Sequence, residues 1–494
     1  FAREGFCTPH HCVLLSYTRR MICSRLIQFG RLRRGGLARL QAYSNYASST
    51  TPRSRLMSTV STHVVQDATK SSTSSRPVAY WLLGMSGLVA GMVTVGGITR
   101  LTRSGLSMTD WKLQGSLPPI SVAEWEVEFE RYKQYPEWQQ RQSMTLDEFK
   151  FIYFWEYGHR MMGRSLGFAF AIPALYFAAR GRIPKHIYPR LGLLFGLGGT
   201  QGLIGWWMVR SGLNKDPTQK QEIRVSPYRL ATHLSMAFTT YVLLLWTGLD
   251  VLQHANGTTG NKMTADLLKY SKRLRGMAIV SGALAATTVL SGAFVAGNDA
   301  GCAYNTFPLM DGQIAPIADM FTLDPVWRNF FENTATVQFD HRALALSTLG
   351  LIGTLYASAV RSVHWPALPA ATRRACHLAA GMAVAQVGLG ISTLLLYVPL
   401  ELAAMHQAGS LVLLSFLTAL THSLKFAATP HGIPGGSSVV TAATVAMATT
   451  AGAAAAASGG GGGSSGRGSS ANTPRSTSDT VTGMAPTVSS NTTG

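Results

Sequence analysis

The chemistry-bearing residues of this chain are four histidines, His159, His233, His341 and His406, each near the start of an apolar segment. Imidazoles inside a bilayer-sized apolar run are rare and costly, so their default reading is functional. They fall into two pairs, and paired imidazoles on facing helices suit an iron macrocycle with two axial ligands. A zinc or copper site fits less well, because neither acid nor thiolate accompanies the second pair. An arginine follows one histidine of each pair, as His159-Arg160 and His341-Arg342. Each guanidinium has two readings of equal weight: a fork onto a haem propionate, or a snorkelling interfacial cation. Arg100 and Arg103 are further propionate candidates. Glu156 precedes His159 by three residues, so both share one helical face, whereas the matching position before His341 is Gln338. A carboxylate beside one haem and absent from the other is a candidate for chemistry on that haem. The plainer reading is a solvated acid at the membrane edge.

These residues need helices to hold them. Eight apolar runs long enough to cross a bilayer lie near 79–98, 154–178, 191–210, 230–251, 276–297, 339–360, 376–397 and 402–424. Small residues crowd several of them, which lets helices pack closely in lipid. The chain repeats itself: EYGHRMMGRSLGF answers QFDHRALALSTLG, GGTQGLIG answers AVAQVGLG, and ATHLSMAF answers AAMHQAGSLVLL. Four spans per repeat insert both halves the same way up, related by an axis along the membrane normal. The expected fold is therefore all-α and polytopic, with eight transmembrane helices in two pseudo-symmetric four-helix bundles. Their limits are 79–251 and 276–425, with an inner loop over 252–275 joining them. Basic loops after the second, fourth and sixth spans place both termini on the inner side and all four histidines near the outer face. The remaining membrane-region histidines, His186, His254, His364, His377 and His422, map to inner loops or inner helix ends and read as solvated or interfacial. The third loop, with Lys215, Lys220, Arg224 and Arg229, fits this assignment poorly.

A formal charge of +20 over 494 residues invites a nucleic-acid reading. The excess sits in the first eighty residues and in short loops beside apolar runs, which excludes that class. Residues 1–78 are rich in arginine and hydroxyl side chains and poor in acids, the composition of a mitochondrial transit peptide. The chain opens on Phe1 rather than methionine, and its natural start is expected upstream. Residues 426–494 read as a low-complexity tail, in which 438–457 could pass for a weak ninth span. Five cysteines without a CxxC pair give neither a disulfide framework nor a zinc site.

Five segments, GGITRLTRSGLSMTDWKLQGSLPP, FWEYGHRMMGR, ATHLSMAF, FDHRALA and MHQAGSLVLL, together resemble the haem A synthase family of the mitochondrial and proteobacterial type. The resemblance covers roughly residues 79–425. It implies an eight-helix enzyme of the mitochondrial inner membrane that oxidises a methyl group of haem O to a formyl group for cytochrome c oxidase. The change implied is two successive hydroxylations, the geminal diol then losing water. It further implies a resident haem b on His341 and His406, the substrate haem O facing His159 and His233, and Glu156 as the essential acid. A ferredoxin-type electron partner and contact with haem O synthase are implied too, and a homo-oligomer is left open. Some bacterial members carry a cysteine pair in the first outer loop; none is present here, so no thiol step is carried over. Two other classes compete: a di-haem b-type electron carrier, which has no need of one half differing at Glu156, and a transporter, which would place polar groups at mid-membrane.

Overall fold

The computed structural model describes residues 75–112, 114–214, 223–256 and 264–427. All but the end of the expected leader, the tail beyond 427 and the weak ninth span lie outside the described residues. The described residues form α-helices without a strand: α1 (Arg76–Leu101), α2 (Val122–Lys133), α3 (Pro136–Gln139), α4 (Leu146–Ala179), α5 (Tyr188–Leu213), α6 (Pro227–Ala255), α7 (Ala265–Gly297), α8 (Asn329–Glu332), α9 (Thr334–Val360), α10 (Ala370–Leu395) and α11 (Leu400–Ala427). A helix satisfies its backbone hydrogen bonds internally, which is the condition for crossing lipid. Large apolar side chains such as Leu88, Phe168, Ile172, Phe195, Leu203 and Val384 stand exposed along these helices. That is the surface of a polytopic membrane protein.

Among the described residues, seven helices are long and apolar enough to cross a membrane. The expected third span corresponds to α5, which is 26 residues long but is not among the seven. Its six central glycines, with Thr200 and Gln201, dilute the hydropathy without shortening the helix. Two boundaries also differ from expectation. Thr145 and Glu148 form a reciprocal capping box, which starts α4 at Leu146 and puts His159 more than three turns in. Thr264 caps α7, so most of the expected 252–275 loop is helix. Both extensions mix charged with apolar residues and carry the helix beyond its apolar run.

Helix packing repeats. In the first half α1 packs on α4 and α6, and α5 on α4 and α6; in the second α7 packs on α9 and α11, and α10 on α9 and α11. Exchanging α1 with α7, α4 with α9, α5 with α10 and α6 with α11 maps this set onto itself. It also maps the contacts between halves, α6 with α7, α1 with α11 and α6 with α11. At one end of the first half, Val78, Leu82, Phe177, Ile187, Leu191 and Val251 close an apolar core. Leu274, Leu355, Ala359, Cys376, Leu420 and Leu424 do the same in the second. Tyr228 and Ala231 of α6 meet Ala293 and Phe294 of α7 at the opposite end, so the two halves point the same way. All four histidines lie towards that opposite end.

Two polar features brace the bundle. Buried Asp250 of α6 accepts from Arg190 of α5 (2.6 Å), His422 (2.9 Å) and Lys425 (3.1 Å) of α11. His422, expected to be solvated, is thus a buried partner of this acid. Of the third-loop cations, Lys215 and Lys220 lie outside the described residues; Arg224 pairs with Asp299 at 3.1 Å, and Arg229 donates to Trp207 O while lying 4.4 Å from the Trp207 ring centre. These two cations are thus paired within the molecule, which weakens them as topology signals. Over the first loop, Phe129, Tyr132, Phe149 and Tyr153 pack with Trp125 and Trp138 into an aromatic cover on the extension of α4. Glu137, nearly buried beneath it, is pushed up to about 7 by burial, with Arg141 opposing from 3.8 Å.

Removing Asp250 strands the Arg190 and Lys425 cations and takes the carboxylate away from the buried His422 imidazole. Asp250→Ala should cost roughly 3–5 kcal/mol, read as a lower midpoint of thermal unfolding in detergent; an unchanged midpoint removes the cluster from the stability account. Glu137 titrates higher folded than unfolded, so its contribution is fully present below about pH 4.5 and lost as the pH rises through about 7. Glu137→Gln should flatten the pH dependence of stability across that window, and a profile that keeps its slope assigns it elsewhere.

Candidate functional site

Each of the four imidazoles rests on a glycine of a neighbouring helix. A Cβ on Gly96 of α1 would come within 2.8 Å of His159 Cε1, and one on Gly205 of α5 within 3.0 Å of His233 Cε1. In the second half the values are 3.1 Å for Gly292 of α7 against His341 and 2.9 Å for Gly390 of α10 against His406. Real Cβ contacts essentially never fall below 3.0 Å and are seldom as short as 3.4 Å, so the seats are glycine because the rings occupy the space. The four seats obey the same helix exchange as the packing. The sequence signal was present as glycines near the ends of the odd spans, but nothing in the sequence pairs a glycine with a histidine on another helix.

The rings are held differently at Nδ1. Gln201 Nε2 lies 3.1 Å from His233 Nδ1 and donates to His233 O at 3.0 Å. Gln386 repeats this on His406, at 3.2 and 2.7 Å. Ser291 Oγ is 2.7 Å from His341 Nδ1. His159 Nδ1 is buried and meets no partner.

The ring centres of His341 and His406 are 6.5 Å apart, with planes at 85°. Two metal–imidazole bonds of about 2 Å, plus roughly 1 Å from each nitrogen to its ring centre, span about 6 Å. The pair therefore fits two axial ligands of one iron. His159 and His233 occupy the matching glycine seats of the first half. Among the described residues no group of three or more His, Cys, Asp or Glu gathers to hold a bare metal ion. Two protein ligands per site need a macrocycle to complete the coordination, and the glycine-seated pairs suit one.

One turn from His159, the buried Glu156 carboxylate receives Ser107 Oγ (2.6 Å), Met108 N (2.8 Å) and Arg160 (2.5 Å). It is not a solvated acid. Gln338 has the same place with the opposite polarity: its amide donates to Ala300 O and Ala303 O, and its Oε1 accepts from Arg342 at 2.9 Å. The arginines also match. Arg160 donates to Met108 O and Asp110 O, both at 2.8 Å, and Arg342 to Tyr304 O (2.6 Å) and Thr306 O (2.9 Å). Both guanidiniums tie the loop above the site to the histidine helix, so the structure gives them a role beyond the two weighed from sequence. Arg100 bonds Asp299 at 2.8 Å, linking α1 to the end of α7.

The family model for cytochrome oxidase assembly proteins of the COX15-CtaA type matches residues 79–418. The chain is 48% identical over 349 residues to "Heme A synthase COX15" of Arabidopsis thaliana, covering 70% of this chain and 74% of that protein. It is 44% identical over 352 residues to "Heme A synthase" of Nitrosospira multiformis, with 71% and 94% covered. A third relative, the "Heme A synthase-mitochondrial ferredoxin fusion protein" of Schizosaccharomyces pombe, is 42% identical over 378 residues, with 71% and 60% covered. On a match across most of its length, with its histidine pairs inside that match, the chain belongs to the COX15-CtaA family of cytochrome oxidase assembly proteins.

Proposed function

We infer that the chain is a haem A synthase, a membrane oxidoreductase that oxidises haem O to haem A for cytochrome c oxidase. The observation that carries this reading is two matched histidine pairs of which only one has a carboxylate one turn away. His341 and His406 hold the resident group, haem b; bound there, it supplies the redox-active iron. His159 and His233 hold the substrate haem O. Glu156, fixed by three donors one turn from His159, is placed to take protons released as the methyl is hydroxylated or to stabilise positive charge developing on its carbon. Arg160, the Ser107 hydroxyl and the Met108 N–H orient that carboxylate, while the aromatic cover shelters the neighbouring stretch of α4.

With α5 counted as the eighth span, the two halves are four-helix bundles in the mitochondrial inner membrane, with both termini in the matrix and the haem sites near the intermembrane space. The ferredoxin fused to the Schizosaccharomyces pombe relative supports a ferredoxin-type electron partner. Contact with haem O synthase rests on the resemblance alone. A di-haem carrier would use the same histidines without needing Glu156.

Chromatography of haems extracted from the purified protein separates the two: the enzyme yields haem O or its oxidised products beside haem b, the carrier haem b only. Glu156→Gln should retain haem but reduce haem A formation about 10²–10⁴-fold, the range for loss of a general acid–base group. Normal product from that variant removes the acid from the mechanism. His341→Ala or His406→Ala should abolish the resident haem absorption, and Gly292→Val, by displacing the His341 ring, should perturb it. An unchanged spectrum in both histidine variants refutes the ligand assignment.

A further inference from the structure

We propose that Ser291 is a positioning residue that makes the second haem site retentive, and that Val95, at the matching place in the first half, leaves His159 a looser ligand so that its haem can exchange. The inference rests on the haem reading above.

Ser291 and Val95 each stand directly before a glycine seat, Gly292 and Gly96, on helices that the pseudo-symmetry interchanges. Ser291 Oγ donates its proton to Thr288 O at 2.8 Å, so towards His341 Nδ1, 2.7 Å away, it presents a lone pair. The ring must then carry its proton on Nδ1 and leave Nε2 bare for a metal. Such a bond fixes tautomer and ring angle and raises ligand basicity; its loss typically costs 10–100-fold in metal affinity. The Val95 side chain has no atom that can accept a hydrogen bond, and its carbonyl accepts from Thr99, while His159 Nδ1 is buried without a partner. His341 is therefore gripped at Nδ1 and His159 is only seated, while His233 and His406 carry matching glutamine contacts that do not distinguish the halves. A resident group gains from the extra grip. A substrate that must enter as haem O and leave as haem A gains from one ligand that lets go.

The test uses the full-length protein in detergent, loaded with haem b and haem O. Haem loss to an excess of a haem-scavenging globin is followed for each site, together with the low-spin ferric electron paramagnetic resonance signal and the midpoint potential. Ser291→Ala should speed loss of haem b 10–100-fold, shift its low-spin signal and raise its potential; Ser291→Thr, which keeps the hydroxyl, should restore all three. Val95→Ser should slow loss of haem O by a comparable factor and leave haem b unchanged. If Ser291→Ala leaves loss rate, signal and potential at wild-type values, or if Val95→Ser folds with haem O loss unchanged, the proposal fails. Failure of the wild-type protein to bind any haem would overturn the functional reading instead.

Discussion

A bilayer gives an imidazole no water to bond, so each histidine in this protein depends on what the neighbouring helix puts against it. At four places the neighbour contributes a glycine, and the ring fills the volume a side chain would have taken. The seat fixes the ring against rotation by contact alone, without consuming a nitrogen. Close helix approach at these four contacts goes with that fit. The same fit explains the weak hydropathy of α5: a span that must let helices approach closely carries glycines, and glycine adds little apolar surface.

Much of this was legible in the chain. The internal repeat located both histidine pairs, and loop charge placed them at one end, because each signal rests on period and composition. The Glu156 and Gln338 difference was visible for the same reason. Other features were not readable because they are contacts between distant segments. Nothing in the order of residues tells that Gly205 lies beneath His233, or that the Arg342 guanidinium reaches Tyr304 O. The His422 reading went astray on a related point. A histidine near the inner end of a span looks solvated until Asp250, far away in sequence, is found bonded to it. The start of α4 failed locally instead: hydropathy marks where a helix enters lipid, whereas the Thr145 capping box marks where it begins.

The two arginines show how a repeat can hold a loop. In both halves a guanidinium one residue beyond the first histidine collects two carbonyls from the segment overhead and the polar group four residues back. Planar, permanently charged and rich in donors, arginine can bond several acceptors at once, which lysine's point charge does not match. A guanidinium so engaged holds the roof of the site in register with the histidine beneath it. Any propionate it also met would be positioned by the same framework.

The mirrored bonding of Glu156 and Gln338 bears most directly on what the carboxylate is for. Anchoring the loop needs only hydrogen bonds, and the second half does this with an amide that donates to two carbonyls. In the first half the loop offers donors, Ser107 Oγ and Met108 N, which an amide oxygen could also accept. A buried carboxylate carries a desolvation cost that an amide avoids, and that cost is offset only by charge-assisted partners such as Arg160 at 2.5 Å. The first half thus contains an ionisable group, and a cation to accompany it, where a neutral residue would meet the structural need. Beside the histidines assigned to the substrate, a group that can take up a proton is the property the amide lacks. Its presence on one side only is the asymmetry on which the proposed division, into a site that holds a haem and a site that alters one, rests.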